Sequence, residues 1–193
     1  MARQRAPQIS RALVLVLVLV LVPLAASSAL ASGELTSSSG GALAVIREEV
    51  HATIRDSLAT TRVVEVFRND GDRPLEAVYA FTLPRGASIT DFTMFIEGRA
   101  VRGEVLERGE ARRAYEALVR RARDPGLLEQ SGERTFHARV FPVAPRSEQR
   151  FEVEYFERLT CEAGVLRYVY PRRPEATGAL SLRLDVESSV PLG

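Results

Sequence analysis

From Leu75 to Leu83 the chain sets Leu75, Ala77, Tyr79, Phe81 and Leu83 at every second position. That period places successive side chains on opposite faces of an extended strand, and a helix of 3.6 residues per turn would scatter them. The same period recurs along the chain. Phe136, Ala138 and Val140 alternate with Thr135, His137 and Arg139, and Phe151, Val153 and Tyr155 alternate with Glu152 and Glu154. Leu166, Tyr168 and Tyr170 give a further strand, and Leu180, Leu182, Leu184 and Val186 give the last. Residues 44–54 and 62–68 read as earlier strands. The second carries Val64 and Val66 on one face and Val63 and Phe67 on the other, as a central strand does.

Turn residues divide these runs. Asp70-Gly71 follows residues 62–68, because glycine tolerates positive φ and aspartate caps locally; residues 62–68 and 75–83 are therefore expected to pair as a hairpin. Glu97-Gly98 similarly separates residues 89–96 from 99–106. One helix is expected: Ala111, Ala114, Tyr115, Leu118 and Ala122 form a single apolar stripe, and Asp124-Pro125-Gly126 ends it. Many short strands and one short amphipathic helix argue for a mainly β, β-sandwich-like fold.

Residues 1–31 read as a secretory signal of the general (Sec) type. Arg3, Arg5 and Arg11 precede an unbroken Leu/Val run from Leu13 to Val22, and Ala29-Leu30-Ala31 is a small-x-small cleavage site. The run is broken by Pro23 and falls short of the roughly 20 apolar residues a span needs. Cleavage after Ala31 is expected to leave no stable membrane span and to deliver a secreted or periplasmic protein. Losing three arginines and no acid turns the net charge of +1 into −2, so nothing here suggests nucleic acid as a partner. Residues 32–41 are Ser/Gly-rich and expected to be flexible, with the folded domain spanning 42–193. Cys161 is alone, so it forms no internal disulfide; it is expected to be a partly buried thiol, an intermolecular bridge being the alternative.

Residues 58–158 carry a further pattern. A strand ends at Asn69 before the turn at Gly71, and the next ends in Leu83-Pro84. Phe92-Thr93-Met94-Phe95-Ile96-Glu97-Gly98-Arg99 leads to the helix with Ala111 and Tyr115 four apart, then Gly126-Leu127-Leu128-Glu129, and Phe151 to Tyr155 closes the block. This ordered set resembles the VIT domain, named after vault proteins and inter-alpha-trypsin inhibitor heavy chains. The resemblance implies a non-enzymatic module whose usual neighbour is a von Willebrand A-type domain. The Asp-x-Ser-x-Ser metal motif of that neighbour does not occur in this sequence, which suggests a truncated or stand-alone module. The residues singled out have structural roles: Asn69 bonding the turn backbone, Pro84 ending a ladder, Tyr115 packing its ring under the helix.

Sites of chemistry are sparse. Asn69-Asp70-Gly71-Asp72 could open a calcium loop, but Pro74 intrudes and the distal glutamate is missing, so a plain hairpin turn is the preferred reading. His51 and His137 lie in no metal-ligand spacing and read as strand-surface residues. Gly86-Ala87-Ser88 lacks the second glycine of a nucleophile elbow. No catalytic residue, metal ligand or cofactor is assigned. The function expected is an exported, non-catalytic protein-interaction module, with an A-type domain as candidate partner. The alternative is an exported carbohydrate-binding or hydrolytic β-sandwich; the arginine-rich helix is a candidate contact for an acidic partner or a polysaccharide.

Overall fold

The computed structural model describes residues 16–19, 32–106, 127–131, 134–173 and 176–189. The expected helix, with Ala111, Tyr115 and Gly126, lies outside the described residues, as does the signal-like stretch apart from Val16–Leu19. Fourteen strands are described: β1 Val16–Leu19, β2 Gly33–Ser37, β3 Ala44–Arg55, β4 Leu58–Asn69, β5 Leu75–Thr82, β6 Ser88–Ile96, β7 Arg99–Arg102, β8 Glu104–Leu106, β9 Leu127–Ser131, β10 Thr135–Val143, β11 Ser147–Arg158, β12 Cys161–Glu162, β13 Val165–Tyr168 and β14 Ala179–Glu187. They form a six-stranded sheet in the order β14-β3-β4-β11-β6-β7, a five-stranded sheet β2-β5-β10-β9-β8, and a small sheet β1-β13-β12. The mainly β, sandwich-like expectation holds.

The core lies between the two large sheets. Tyr79 of the five-stranded sheet stacks on Phe151 of the six-stranded sheet, with ring centroids 4.0 Å apart and planes 8° apart. Phe67 meets both rings edge-on, and Phe92 stacks beyond them. Leu35, Val50, Ile54, Phe81, Met94, Val140 and Val153 fill the same layer. The segment after β11 adds Leu159, Leu166, Tyr168 and Tyr170 to it.

The expected hairpin between residues 62–68 and 75–83 is corrected. β4 pairs with β3 and β11 in one sheet, whereas β5 pairs with β2 and β10 in the other. The turn at Asn69 to Pro74 is a crossing from sheet to sheet. Period-two alternation fixes which face of a strand is buried but does not name its partner, and both strands bury their inner rows against the same core. The second expected turn does form a hairpin: β6 and β7 pair around Glu97 and Gly98, at φ 49° and 78°. After Gly103 the chain leaves that sheet, and β8 joins the five-stranded one.

Residues 32–41 also depart from their compositional reading. Gly33–Ser37 is a strand in register with β5, Leu35 is fully buried opposite Tyr79, and the turn is confined to residues 38–40. Ordered structure therefore includes Ser32. The reason is visible at Gly33. A Cβ there would stand 2.0 Å from Glu65 Oε2 and 2.4 Å from the Tyr79 ring, so only glycine lets this strand approach the core. Cys161, expected to be partly buried, is exposed on β12.

Candidate interaction face and the acid pair beneath it

β4 is central, as its two apolar faces suggested. Its inner row is Ala59, Thr61, Val63, Glu65, Phe67 and Asn69, all buried. Glu65 breaks this apolar run, and its register partner on β3 is Glu48. Both carboxylates are 1% exposed. An isolated buried carboxylate is costly, so the donors around each matter. Glu65 accepts from Gly33 N at 2.7 Å and from the Tyr79 hydroxyl at 2.6 Å. Glu48 accepts from the Tyr170 hydroxyl at 2.5 Å and from Arg172 Nε at 2.9 Å. Burial pushes Glu65 up to about 7, and the nearby Glu48 adds to the rise; the two donors oppose it and do not overcome it.

These contacts draw both ends of the domain onto the β3–β4 pair. β2 is held through Gly33, and the segment after β13 through Tyr170 and Arg172. Arg173 Nη1 also reaches Glu34 Oε2 on β2, at 2.6 Å. Beside the acid pair, Thr61 Oγ1 lies 3.0 Å from the Tyr168 hydroxyl. The Tyr155 hydroxyl is buried beside these two, and that burial pushes it well above the usual tyrosine range. Glu48 and Glu65 escaped the sequence reading. The available signal was parity: Glu65 occupies an inward position between Val63 and Phe67.

Of the residues expected to be structural, Asn69, Gly71, Leu83 and Pro84 fall at sheet crossings and Tyr155 lies within β11, while Ala111, Tyr115 and Gly126 lie outside the described residues. Asn69 is buried. Its Nδ2 donates toward Arg73 O, Val143 O and Ala144 O at 3.0, 3.1 and 3.0 Å, and its Oδ1 accepts from Gly71 N at 3.0 Å. One amide thus clasps the β4–β5 crossing to the β10–β11 crossing. Asp70 and Asp72 face Arg68 and Arg146. Leu83 is buried and bonds Arg134 through both its N–H and its carbonyl. Pro84 follows it, and its carbonyl accepts from Ala87 N across the turn. His51 and His137 sit on different sheets; His51 Nε2 lies 2.7 Å from Asp185 Oδ2.

Among the described residues the outer face of the six-stranded sheet forms an extended accessible surface. In register across it stand Arg183, Asp185 and Glu187 of β14, Arg47, Glu49, His51 and Arg55 of β3, Arg62 and Arg68 of β4, and Arg150, Glu152 and Glu154 of β11. Charges of both signs alternate. Glu152 is bonded by Arg62 from one side and Arg150 from the other, and its side chain is only 14% exposed. The Arg150 guanidinium lies 4.7 Å over the Phe95 ring. A shallow groove runs beside this knot, lined by Arg62, Asp91, Thr93, Phe95, Arg102 and Glu154. Such a face can dock a polar protein surface by complementary charge. The interior acids are enclosed beneath it.

Comparison with known proteins fits this architecture. Residues 47–155 match the model of the vault protein inter-alpha-trypsin domain. The chain is 32% identical over 149 residues to inter alpha-trypsin inhibitor heavy chain 4 of Mus musculus, covering 77% of this chain and 15% of that one. It is 30% identical to inter-alpha-trypsin inhibitor heavy chain H4 of Homo sapiens, covering 77% and 16%. It is 26% identical to protein mono-ADP-ribosyltransferase PARP4 of Homo sapiens over 139 residues, 72% of this chain and 8% of that one. The chain therefore spans under a fifth of the length of these relatives. With the family model matching more than half of its residues, the chain belongs to the vault protein inter-alpha-trypsin (VIT) domain family.

Proposed function

We propose that this chain is an exported, non-catalytic interaction module that presents the outer face of its six-stranded sheet to a protein partner. The observation that carries the reading is the face itself: an extended, mixed-charge surface with a shallow groove at Arg62 and Arg102, laid over a rigid aromatic core. Family membership supports a module that works by contact. The enclosure of Glu48 and Glu65 supports a non-catalytic role, because carboxylates that act on glycosides must reach the substrate. The partner is a von Willebrand A-type domain, carried by the same or a separate chain.

Two measurements test this. Mass spectrometry of exported material should give an N-terminus at Ser32, and an uncleaved, membrane-held N-terminus would refute export by cleavage. Binding of the chain to a purified A-type domain should weaken about tenfold or more in the double variant Arg62→Glu, Arg102→Glu, with the β circular dichroism unchanged. Equal binding by the variant would remove this face as the contact, and no binding at all would remove the A-type domain as the partner.

A further inference from the structure

The edge strands of the two large sheets are unequal. β2 has five residues, β7 four and β8 three, whereas β14 has nine, paired to β3 without a register break. Edge strands are normally blunted by shortness, proline, lysine or a bulge, because their free N–H and C=O groups recruit another strand. Among the described residues β14 is long, has no proline, lysine or bulge and is covered by no further strand, and its charges, Arg183, Asp185 and Glu187, all stand on the outer face. Its two rows are clean. Leu180, Leu182, Leu184 and Val186 stand beside Glu48, Val50, Ala52 and Ile54 on the inner face, and Ser181, Arg183, Asp185 and Glu187 stand on the outer face. The inner row packs on the core but is only partly buried, so the apolar layer is incomplete along this edge.

We propose that β14 pairs antiparallel with β14 of a second copy of this chain, about a two-fold axis at Leu184, joining two six-stranded sheets into one. Charge selects the register. Centring on Leu184 sets Arg183 opposite the partner's Asp185 twice, Leu182 opposite the partner's Val186, and Leu184 opposite itself. Centring one residue earlier would set Arg183 against its own copy. Centring one residue later would do the same to Asp185. Like charges directly opposite destabilise a ladder, and opposite charges with branched apolar pairs stabilise it. A two-fold axis normal to the sheet keeps inner row with inner row, so the leucines of both copies form one continuous apolar strip. The acid is already placed at the edge: His51 and Arg183 both bond Asp185 and hold it below the usual carboxylate range.

Sedimentation of the full chain over a range of concentrations tests the pairing. A concentration-dependent dimer is expected. Arg183→Asp alone and Asp185→Arg alone each set like charges opposite, and each should weaken dimerisation about tenfold or more. Mixed together, the two variants should form a heterodimer tighter than either homodimer, because every facing pair becomes opposite in sign. Both sites are exposed, so both variants should keep the β spectrum. Should a single reversal fail to fold, the double exchange Arg183→Asp with Asp185→Arg keeps facing pairs complementary and must dimerise as the unmodified chain does. A monomer at all concentrations, a dimer indifferent to either reversal, or a mixture no tighter than its components would overturn the proposal.

Discussion

At the scale of single residues, the chain places its most constrained polar groups where two sheets must be tied together. Asn69 shows the logic. A short amide at the end of β4 offers two hydrogens to three carbonyls and an oxygen to Gly71 N, all from backbone that has left one sheet and not yet entered the other. Such backbone has no ladder partner, and burial denies it water. Asn69→Ala should therefore cost about 2–3 kcal/mol in a urea titration, since it strands buried carbonyls as well as losing its own bonds. A loss below about half a kcal/mol would mean that water replaces the amide without penalty. Asparagine before a glycine turn was legible in the sequence. What it bonds was not, because Val143 and Ala144 lie more than seventy residues away. Glu65 marks the same limit. Its parity placed it inward, but the tyrosine and glycine that satisfy it come from other strands.

At the scale of elements, alternation proved sufficient for existence and insufficient for partnership. β5, β10, β11 and β14 are each visible as period-two runs, and β4 announced its central position by two apolar faces. Val64 and Val66 on its outer face are buried even though that face is charged; Arg150 and Glu152 of β11 and Arg47 and Glu49 of β3 flank them in register, and long charged side chains cover apolar surface with their methylene stems. The crossing at residues 69–75 looked like a hairpin because turn chemistry is the same whether a chain reverses within a sheet or passes to the one facing it. β2 was hidden for another reason. Its sequence, Gly33-Glu34-Leu35-Thr36-Ser37, has one large apolar side chain and a composition that suits a linker. Its docking depends on Gly33 fitting against Glu65 and Tyr79, a contact of tertiary origin. Gly33→Ala should consequently destabilise the domain by about 1–3 kcal/mol through forced displacement of the strand. The change should also raise amide exchange in residues 33–37 more than in β4. Uniform exchange across both strands would show that β2 and β4 open only together.

At the scale of the whole molecule, the buried Glu65 and the partly buried Glu157 of β11 give the fold a pH dependence opposite to that of most surface-paired carboxylates. Burial raises both Glu65 and Glu157 from 4.5 to about 7. Each therefore keeps its proton in the folded chain at pH values where the unfolded chain has released it. Between about 4.5 and 7 the native state binds more protons than the unfolded state, so stability falls as pH rises. The stabilising contribution is fully present below 4.5 and is lost as pH passes through about 7. Asp56 and Asp185 work in the other direction, each held below its usual value by hydrogen bonds, but both are exposed and titrate below this window. The chain should accordingly unfold at higher urea at pH 5 than at pH 7.5, with Glu65 accounting for a difference of about 3 kcal/mol at most. Glu65→Gln keeps the acceptor for Gly33 and Tyr79 without an ionisable group. It should flatten the curve between these values and leave the residual slope to Glu157. A variant whose stability still falls as steeply as the unmodified chain would show that Glu65 is ionised in the fold at pH 5, with its two donors outweighing its burial.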